Sequence, residues 1–195
     1  MRIGIDIDGI LRAFQQHAVS VWNTQHPDKP FSLYDWVDHK AFYNLFPGGR
    51  AECFQWWVDN GIYSGAPILP DVCESLTKLH NRGHKIIIAS QQTRVAHKDA
   101  AVLTTQWLCK NDIYFDELYF CNGKSLLPYD VLIDDTPDVI SNVLKSQHMC
   151  LAIMFRWPWN YGFDFNNRRV YIAFEPYWLN TLDLMLGIER RIEDG

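Results

Sequence analysis

The sequence predicts an α/β fold in which a parallel sheet is flanked by helices. Short apolar runs recur along the chain, and each is typical of a buried strand. Segments with helical spacing lie between them: Val72, Leu76 and Leu79, for example, fall at i, i+4 and i+7. Because strands that alternate with helices form βαβ units, we expect these strands to pair in parallel.

Five strands and seven helices are predicted. The strands cover residues 2–6, 85–90, 117–120, 131–133 and 150–155. The helices cover residues 11–22, 37–46, 51–60, 70–81, 96–107, 136–145 and 176–192. Gly83 ends the fourth helix, while Thr136 and Pro137 suit the N-cap and first position of the sixth. A loop is expected over residues 156–169.

One segment interrupts the alternation early. Residues 15–66 are dense in aromatic side chains and contain two short predicted helices separated by Gly48-Gly49. We therefore expect residues 15–66 to form a small helical cap inserted after the first strand. Residues 1–14 and 67–195 then form the core of the fold.

Composition restricts the classes of function. The chain has 195 residues, of which 48% are apolar, and a net charge of −5. This charge offers no basic footprint for polymeric nucleic acid, and no apolar stretch approaches the ~20 residues of a membrane span. The five Cys show no metal-binding spacing and are expected to be reduced thiols, and no signal-peptide pattern opens the chain. We therefore expect a cytoplasmic protein.

Polar residues follow four of the predicted strands. Residues 6–9 (Asp-Ile-Asp-Gly) follow the first strand, Ser90 closes the second, Lys124 follows the third and Asp134-Asp135 follows the fourth. Ligands of open parallel sheets bind outside the carboxyl ends of the strands. These residues are therefore expected to converge in one crevice.

Each acidic pair has a structural interpretation and a chemical one. Either pair alone could serve as a helix cap in a solvated turn. Two pairs at one sheet edge instead favour a hard cation, most plausibly Mg²⁺, which prefers oxygen ligands. A Lys and a Ser nearby suit the anion that such a cation would share. In this arrangement one carboxylate can attack the phosphorus atom of a phosphate monoester. Another can protonate the leaving oxygen and then deprotonate the attacking water.

The order of these motifs resembles the haloacid dehalogenase (HAD) superfamily of phosphotransferases. The matching motifs are DIDGI at 6–10, IIIAS at 86–90, Lys124 and LIDD at 132–135. The resemblance implies a Rossmann-like core and a magnesium-dependent phosphomonoesterase that forms an aspartyl-phosphate. A dehalogenase would have no use for Asp8 and the metal carboxylates.

The resemblance also implies roles for individual residues. Asp6 would be the nucleophile and Asp8 the general acid and base. Asp6, the main-chain carbonyl of Asp8, and Asp134 would bind Mg²⁺, with Asp135 supporting the water shell of the ion. The phosphoryl group would be held by Ser90 and Lys124 and by backbone N–H groups near Gly9 and Gln91.

A closer resemblance is to the 5′(3′)-deoxyribonucleotidases, the C-type 5′-nucleotidases. It rests on DIDGILRAF at 6–14, a Pro-Asp-x-Pro-Phe stretch at 27–31, Asn60–Tyr63 before Pro67, and Pro-Trp-Asn at 158–160. In that family cap aromatics sandwich a base, which implies a substrate pocket formed by Phe14, Phe42, Tyr43 and Ile62. One departure is Ser90-Gln91-Gln92, where animal members have Ser-Pro.

The expected substrate is therefore a (deoxy)nucleoside monophosphate. Family members are often dimers, so the resemblance leaves a homodimer open. A phosphatase for another small ester, such as a sugar phosphate, is the first alternative. A signalling receiver domain would place its acidic pair and its phosphorylated Asp on separate strands. A catalytically silent nucleotide-binding protein of the same fold is the alternative from another class.

Overall fold

A computed structural model describes residues 1–92, 98–173 and 178–193. Its centre is a parallel sheet of six strands in the order β3-β2-β1-β4-β5-β6. The strands are β1 (Arg2–Ile5), β2 (Lys85–Ser90), β3 (Glu117–Phe120), β4 (Val131–Asp134), β5 (Leu151–Phe155) and β6 (Val170–Ala173). The predicted α/β class and parallel pairing are confirmed.

The helices connect the strands. They are α1 (Phe14–Gln25), α2 (His39–Tyr43), α3 (Gly49–Asp59), α4 (Ile62–Gly65), α5 (Val72–Asn81), α6 (Lys98–Lys110), α7 (Pro137–Ser146) and α8 (Trp178–Glu193). Short 3₁₀ turns cover Leu33–Asp35, Lys124–Leu126 and Pro158–Asn160. No helix within the described ranges is long and apolar enough to cross a membrane.

The structure differs from the sequence prediction at β6. The prediction of five strands was wrong, because Val170–Ala173 pairs in parallel with β5 and adds a sixth. This strand has only four residues and follows the predicted loop over residues 156–169, so the sequence offers little periodicity from which to recognise it. Three of its four side chains are only partly buried, as expected at a sheet edge.

Helix α1 begins three residues later than predicted. Leu11 and Arg12 both donate their backbone N–H to the carbonyl of Ile7, and Gly9 N–H donates to the carbonyl of Arg12. Residues 7–12 are therefore wound into a tight turn, which is completed before the helix starts at Phe14. Gly9 adopts φ +79° in this turn, a left-handed conformation that favours glycine.

Residues 15–66 have a hydrophobic cluster of their own. One face of the sheet packs through aliphatic side chains such as Ile5, Ile88 and Ile133, and the opposite face packs through Ile87 and Leu132. A further cluster is formed by side chains between Phe14 and Tyr63, together with Ala100 of α6, and is rich in aromatic rings. In it, Trp36 stacks on Phe42 with ring centroids 4.5 Å apart.

The chain enters and leaves this helical segment at one place. Ala13 N–H donates to the carbonyl of Pro67 over 2.9 Å, and Leu69 N–H donates to the carbonyl of Leu11 over 2.9 Å. The indole of Trp107 on α6 donates to the carbonyl of Ala66 over 2.7 Å. These bonds hold the entry and exit of residues 15–66 side by side, directly beyond β1.

Candidate active site

An acidic cluster lies at the carboxyl ends of β1 and β4. Asp6, Asp134 and Asp135 each place a carboxylate oxygen within 4.8 Å of the others, and all three are buried. Lys124 extends its ammonium group into this cluster from the 3₁₀ turn after β3. Its Nζ lies 2.8 Å from Asp6 Oδ1 and 2.7 Å from Asp134 Oδ2. Three of the four strand ends that were expected to converge therefore meet in this cluster, and Ser90 at the fourth lines the adjoining cavity.

Burial dominates the electrostatics of the cluster. It raises the pKa of Asp6 to about 7, with Asp134 adding to the rise and Lys124 opposing it. Burial and the neighbouring Asp134 also raise the pKa of Asp135 well above its usual range. Burial works to lower the pKa of Lys124, but the adjacent Asp134 and Asp6 outweigh it and raise that pKa.

This donor set fits a divalent cation. Three buried carboxylates face a single ammonium group, so the ionised cluster carries excess negative charge in a site of low dielectric. Burial, to which the charge of Asp134 adds, raises the pKa of Asp6 to about 7, so protonation is one way to relieve the cluster. A small oxygen-binding ion such as Mg²⁺ would relieve it without protonation.

Asp8 lies beside the cluster but has different partners. Its Oδ1 accepts a hydrogen bond from Arg12 Nε at 2.7 Å and forms an ion pair with Arg12 Nη2 at 2.6 Å. Its Oδ2 accepts a hydrogen bond from Gln92 Nε2 at 3.1 Å. The Asp8 side chain is not part of the three-carboxylate group. The structure thus separates the Asp8 side chain from the other three carboxylates.

Arg12 is a residue that sequence reasoning missed. Its side chain is fully buried, and Nη1 also donates to the carbonyl of Tyr63 at the end of the helical segment and to Thr104 Oγ1 on α6. Its guanidinium lies 5.1 Å from the ring centroid of Trp107. The signal was available, because an Arg four residues after an Asp in a turn can fold back onto it, but an exposed arginine is the ordinary expectation.

The remaining predicted phosphate contacts surround the same opening. Ser90, at the end of β2, and the following Gln91 line the cavity described below, together with Lys124. Gly9 lies against Asp135, since a Cβ at Gly9 would fall 2.5 Å from Asp135 Oδ2. Close packing as well as positive φ therefore requires glycine at this position. The contact of Gly9, Ser90, Gln91 and Lys124 with phosphate stays a prediction.

The loop after β5 donates hydrogen bonds to Asp135. Trp159 Nε1 donates to Asp135 Oδ2 over 2.9 Å, and Asn160 Nδ2 donates to the backbone carbonyls of Asp135 and Phe155, each over 2.7 Å. Trp157 Nε1 donates to the carbonyl of Gly9 over 2.8 Å. The Pro-Trp-Asn sequence was noted only as a point of resemblance; its role as a scaffold for the acidic cluster was not foreseen.

One cavity of about 670 Å³ joins the acidic cluster to the helical segment. At one end it is lined by Asp6, Asp8, Asp135 and Lys124. The opposite walls come from Phe14 and the helical segment and include six aromatic side chains: Phe14, Trp36, Tyr43, Phe54, Trp57 and Tyr63. A volume of this size is typical of small-molecule sites, and its mixed lining suits a ligand with one charged end and one flat end.

Two of the four predicted pocket residues do not line this cavity. Phe14 and Tyr43 do, as predicted, whereas Phe42 and Ile62 have no exposed surface and lie inside the aromatic cluster. Phe42 instead supports Trp36 by stacking beneath it. The reason is helical geometry: on short α2, consecutive residues 42 and 43 point in different directions, so only one can face the cavity.

Solved structures share this architecture. A predicted phosphoglycolate phosphatase from Haemophilus somnus superposes with a TM-score of 0.58 at 12% identity, covering 94% of this chain and 97% of that one. A HAD-superfamily hydrolase from Ehrlichia chaffeensis superposes with a TM-score of 0.51 at 12% identity, covering 95% and 97%. The chain therefore has the fold of the haloacid dehalogenase superfamily.

Sequence comparison identifies the family to which the chain belongs within this superfamily. The chain belongs to the family described as 5′ nucleotidase, deoxy (pyrimidine), cytosolic type C protein, whose model matches residues 1–175. It is 23% identical over 146 residues to the mitochondrial 5′(3′)-deoxyribonucleotidase of Mus musculus, and 22% identical to that of Homo sapiens. The matched segment spans 71% of this chain but only 66% and 64% of those relatives.

We expect the Arg12–Asp8 pair to be strongly coupled. Replacing Asp8 leaves the fully buried guanidinium of Arg12 without its anionic partner, so Asp8→Asn should lower the free energy of unfolding by about 3–5 kcal/mol. A double-mutant cycle with Arg12→Met, followed by urea denaturation, should give a coupling energy of about 1–3 kcal/mol. The more exposed Arg2–Glu117 pair, at 3.4 Å, is the control and should give less than about 1 kcal/mol. Equal coupling energies in the two cycles would contradict this account.

Proposed function

We propose that this chain is a phosphomonoesterase that hydrolyses (deoxy)nucleoside monophosphates through an aspartyl-phosphate on Asp6. The observation that carries the proposal is that the Asp6–Lys124 pair and a wall of aromatic rings line the same cavity. The first group suits a phosphoryl group and the second suits a flat ring. Membership of the deoxy 5′-nucleotidase family supports the same substrate class.

In the first step Asp6 acts as the nucleophile. A carboxylate oxygen of Asp6 attacks phosphorus, and the bond from phosphorus to the ester oxygen breaks. Asp8 donates a proton to the departing alkoxide, so that the product leaves as an alcohol. Lys124, which already contacts Asp6 Oδ1, is placed to neutralise charge on the phosphoryl oxygens, together with Ser90 and the N–H groups near Gln91.

In the second step Asp8 reverses its role. Its carboxylate removes a proton from water, the water oxygen attacks phosphorus, and the bond from phosphorus to Asp6 breaks to release inorganic phosphate. Arg12 and Gln92 hold the Asp8 carboxyl group on both oxygens, so it keeps one position through both transfers. A fixed donor of this kind lowers the cost of orientation in each step.

Mg²⁺ would be held by Asp6 and Asp134, with the main-chain carbonyl of Asp8 as a further ligand and Asp135 beside its waters. Bound there, it would reduce the repulsion between the anionic nucleophile and the anionic phosphate. We also propose that residues 15–66 act as a cap, because they supply the aromatic walls while the core supplies the acidic end.

A substrate panel tests this proposal. Phosphate release should be faster, in kcat/KM, from 5′- and 3′-deoxynucleoside monophosphates than from sugar phosphates or an aryl phosphate, because only a nucleotide occupies both ends of the cavity. Turnover of sugar phosphates alone would keep the chemistry and remove the nucleotide assignment. No turnover of any ester would favour a silent binding protein of the same fold.

Asp6→Asn should abolish turnover, by at least about 10³-fold in kcat, because the amide cannot form the acyl-phosphate. The fold and substrate binding should survive, since the substitution is nearly isosteric and removes one charge from a crowded cluster. Asp138→Asn, an exposed position nearby on α7, is the matched control and should keep wild-type kcat. Retention of activity in Asp6→Asn would refute the assignment of the nucleophile.

Mg²⁺ should raise the melting temperature of the wild-type chain at pH 7.5 by about 3–6 °C at ten times its Kd. The folded-state pKa of Asp6 is raised to about 7, so without the ion this carboxyl costs stability as pH rises from about 4 through 7. At pH 5 protons already relieve the cluster, and the shift should shrink.

Scanning fluorimetry of the wild type, Asp134→Asn and Asp138→Asn measures this effect. The shift should be lost in Asp134→Asn and kept in Asp138→Asn. An equal shift in all three would place the ion outside the acidic cluster.

A further inference from the structure

The helical segment contributes positive charge, and no negative charge, to the described part of the cavity lining. Leaving histidines aside, residues 15–66 contain five acidic and three basic residues: Asp28, Asp35, Asp38, Glu52 and Asp59, and Lys29, Lys40 and Arg50. Lys40 and Arg50 line the cavity, whereas none of the five acidic residues does. In a chain with a net charge of −5, this distribution concentrates cations on one wall.

The acidic residues nearest to these cations in sequence are engaged elsewhere. Asp38 accepts a backbone N–H of α2 over 2.8 Å, and Glu52 accepts the backbone N–H that precedes α3 over 2.6 Å. Within the described part of the chain, neither Lys40 nor Arg50 forms an ion pair with a carboxylate. Both side chains are exposed, so a ligand in the cavity can reach them.

Aromatic rings of the same wall restrict the position of Arg50. Its guanidinium carbon lies 4.9 Å from the ring centroid of Phe54 and 6.0 Å from that of Tyr43, and these two rings meet edge to face at 5.3 Å. A guanidinium that rests on ring faces still directs its N–H groups sideways, where they can bind a phosphate through two parallel hydrogen bonds. Arg50 is therefore held in a form that suits an anion.

Lys40 shares one face of α2 with two other lining residues. Tyr43 and Asn44 follow it at i+3 and i+4, the spacing that makes side chains neighbours on a helix, and both line the cavity. The amide of Asn44 adds a neutral donor to the two cations. The wall thus offers an ammonium group, a guanidinium and an amide.

The phosphate that would react at Asp6 already has partners of its own. Lys124 lies in the acidic cluster, which also suits Mg²⁺. Lys40 and Arg50 belong instead to the wall of aromatic rings, so the anion that they suit is a different one. A nucleoside di- or triphosphate does not meet this demand, because its further charges lie next to the reacting phosphate.

We propose that Lys40 and Arg50 form a subsite for a second phosphate group, and that the chain binds nucleosides phosphorylated at both the 5′ and the 3′ position. This inference rests on the proposed function and deepens it by naming the substrate class. One phosphate of such a ligand occupies the acidic end, and the sugar separates it from the other, which meets the two cations. A monophosphate leaves both cations in water.

The binding of two thymidine nucleotides tests this subsite. In the Asp6→Asn chain with Mg²⁺, isothermal titration should give thymidine 3′,5′-bisphosphate a Kd about three- to tenfold lower than that of thymidine 5′-monophosphate. Adding Lys40→Met or Arg50→Gln should lower this ratio, and adding both should bring it to about one. The Kd of the monophosphate should stay within about twofold, because its phosphate lies at the acidic end.

The chain offers a matched control for each substitution. Lys29→Met removes the third cation of the helical segment, which is exposed and does not line the cavity. Arg168→Gln removes an exposed arginine that does not line it either. Both should keep the ratio of the two Kd values. An equal loss in Lys29→Met and Lys40→Met would overturn the subsite, because only the overall charge would then matter. If Arg50→Gln fails to fold, this comparison still decides.

A third ligand distinguishes a free nucleotide from the end of a strand. In 5′-phosphorylated dithymidylate the second phosphate is a diester with one negative charge. Binding as tight as that of the bisphosphate would support the subsite and assign it to the end of a short oligonucleotide. Binding no tighter than that of the monophosphate, beside tight binding of the bisphosphate, would support a free bisphosphate as the ligand.

The titrations do not depend on catalysis, so they separate this inference from the proposed function. A ratio that depends on Lys40 and Arg50, in a chain whose wild type turns over no ester, would support the subsite while the hydrolase proposal fails. Turnover of monophosphates by the wild type, with equal Kd values for the two thymidine nucleotides, would overturn the subsite and keep the hydrolase.

Discussion

The ion pairs of buried Lys124 with Asp6 and Asp134 are the interaction around which the site is built. Three carboxylates at one sheet edge repel one another, and burial removes the water that would screen them. One ammonium group offsets only part of this repulsion, so the cluster stays able to take up a proton or a cation. The same imbalance that weakens the folded chain would favour the metal ion that is proposed to bind there.

Several features of the surrounding structure hold the crowded carboxylates in place. Strands β1 and β4 are neighbours at the centre of the sheet, which brings Asp6 and Asp134 to the same edge with buried strands on either side. Gly9 allows the turn to approach Asp135, and Trp159 and Asn160 hold Asp135 in place from the loop after β5. The hydrogen bonds from Trp159 and Asn160 give the buried polar atoms of Asp135 the partners that buried polar groups require.

The sequence predicted the core better than the helical segment, for a physical reason. Buried strands such as Lys85–Ser90 have a strong local signal, and their carboxyl ends carry the residues of the acidic cluster, so topology alone brings Asp6, Lys124 and Asp134 together. The walls of the cavity depend on side-chain direction in short helices, where Phe42 and Tyr43 look equivalent in sequence but only Tyr43 reaches the cavity. The Arg12–Asp8 pair was missed because an arginine is ordinarily expected to be exposed, although the four-residue spacing permits the contact.

Arg12 also joins the two parts of the site. Its guanidinium contacts Asp8 in the turn after β1, the carbonyl of Tyr63 at the end of the helical segment, and Thr104 on α6. The backbone bonds between Ala13 and Pro67 and between Leu69 and Leu11 lie in the same region. A displacement of the helical segment that broke the contact with Tyr63 would also disturb Asp8. In the proposed mechanism, binding of a ring against the aromatic walls and positioning of Asp8 would thus be linked through one buried side chain.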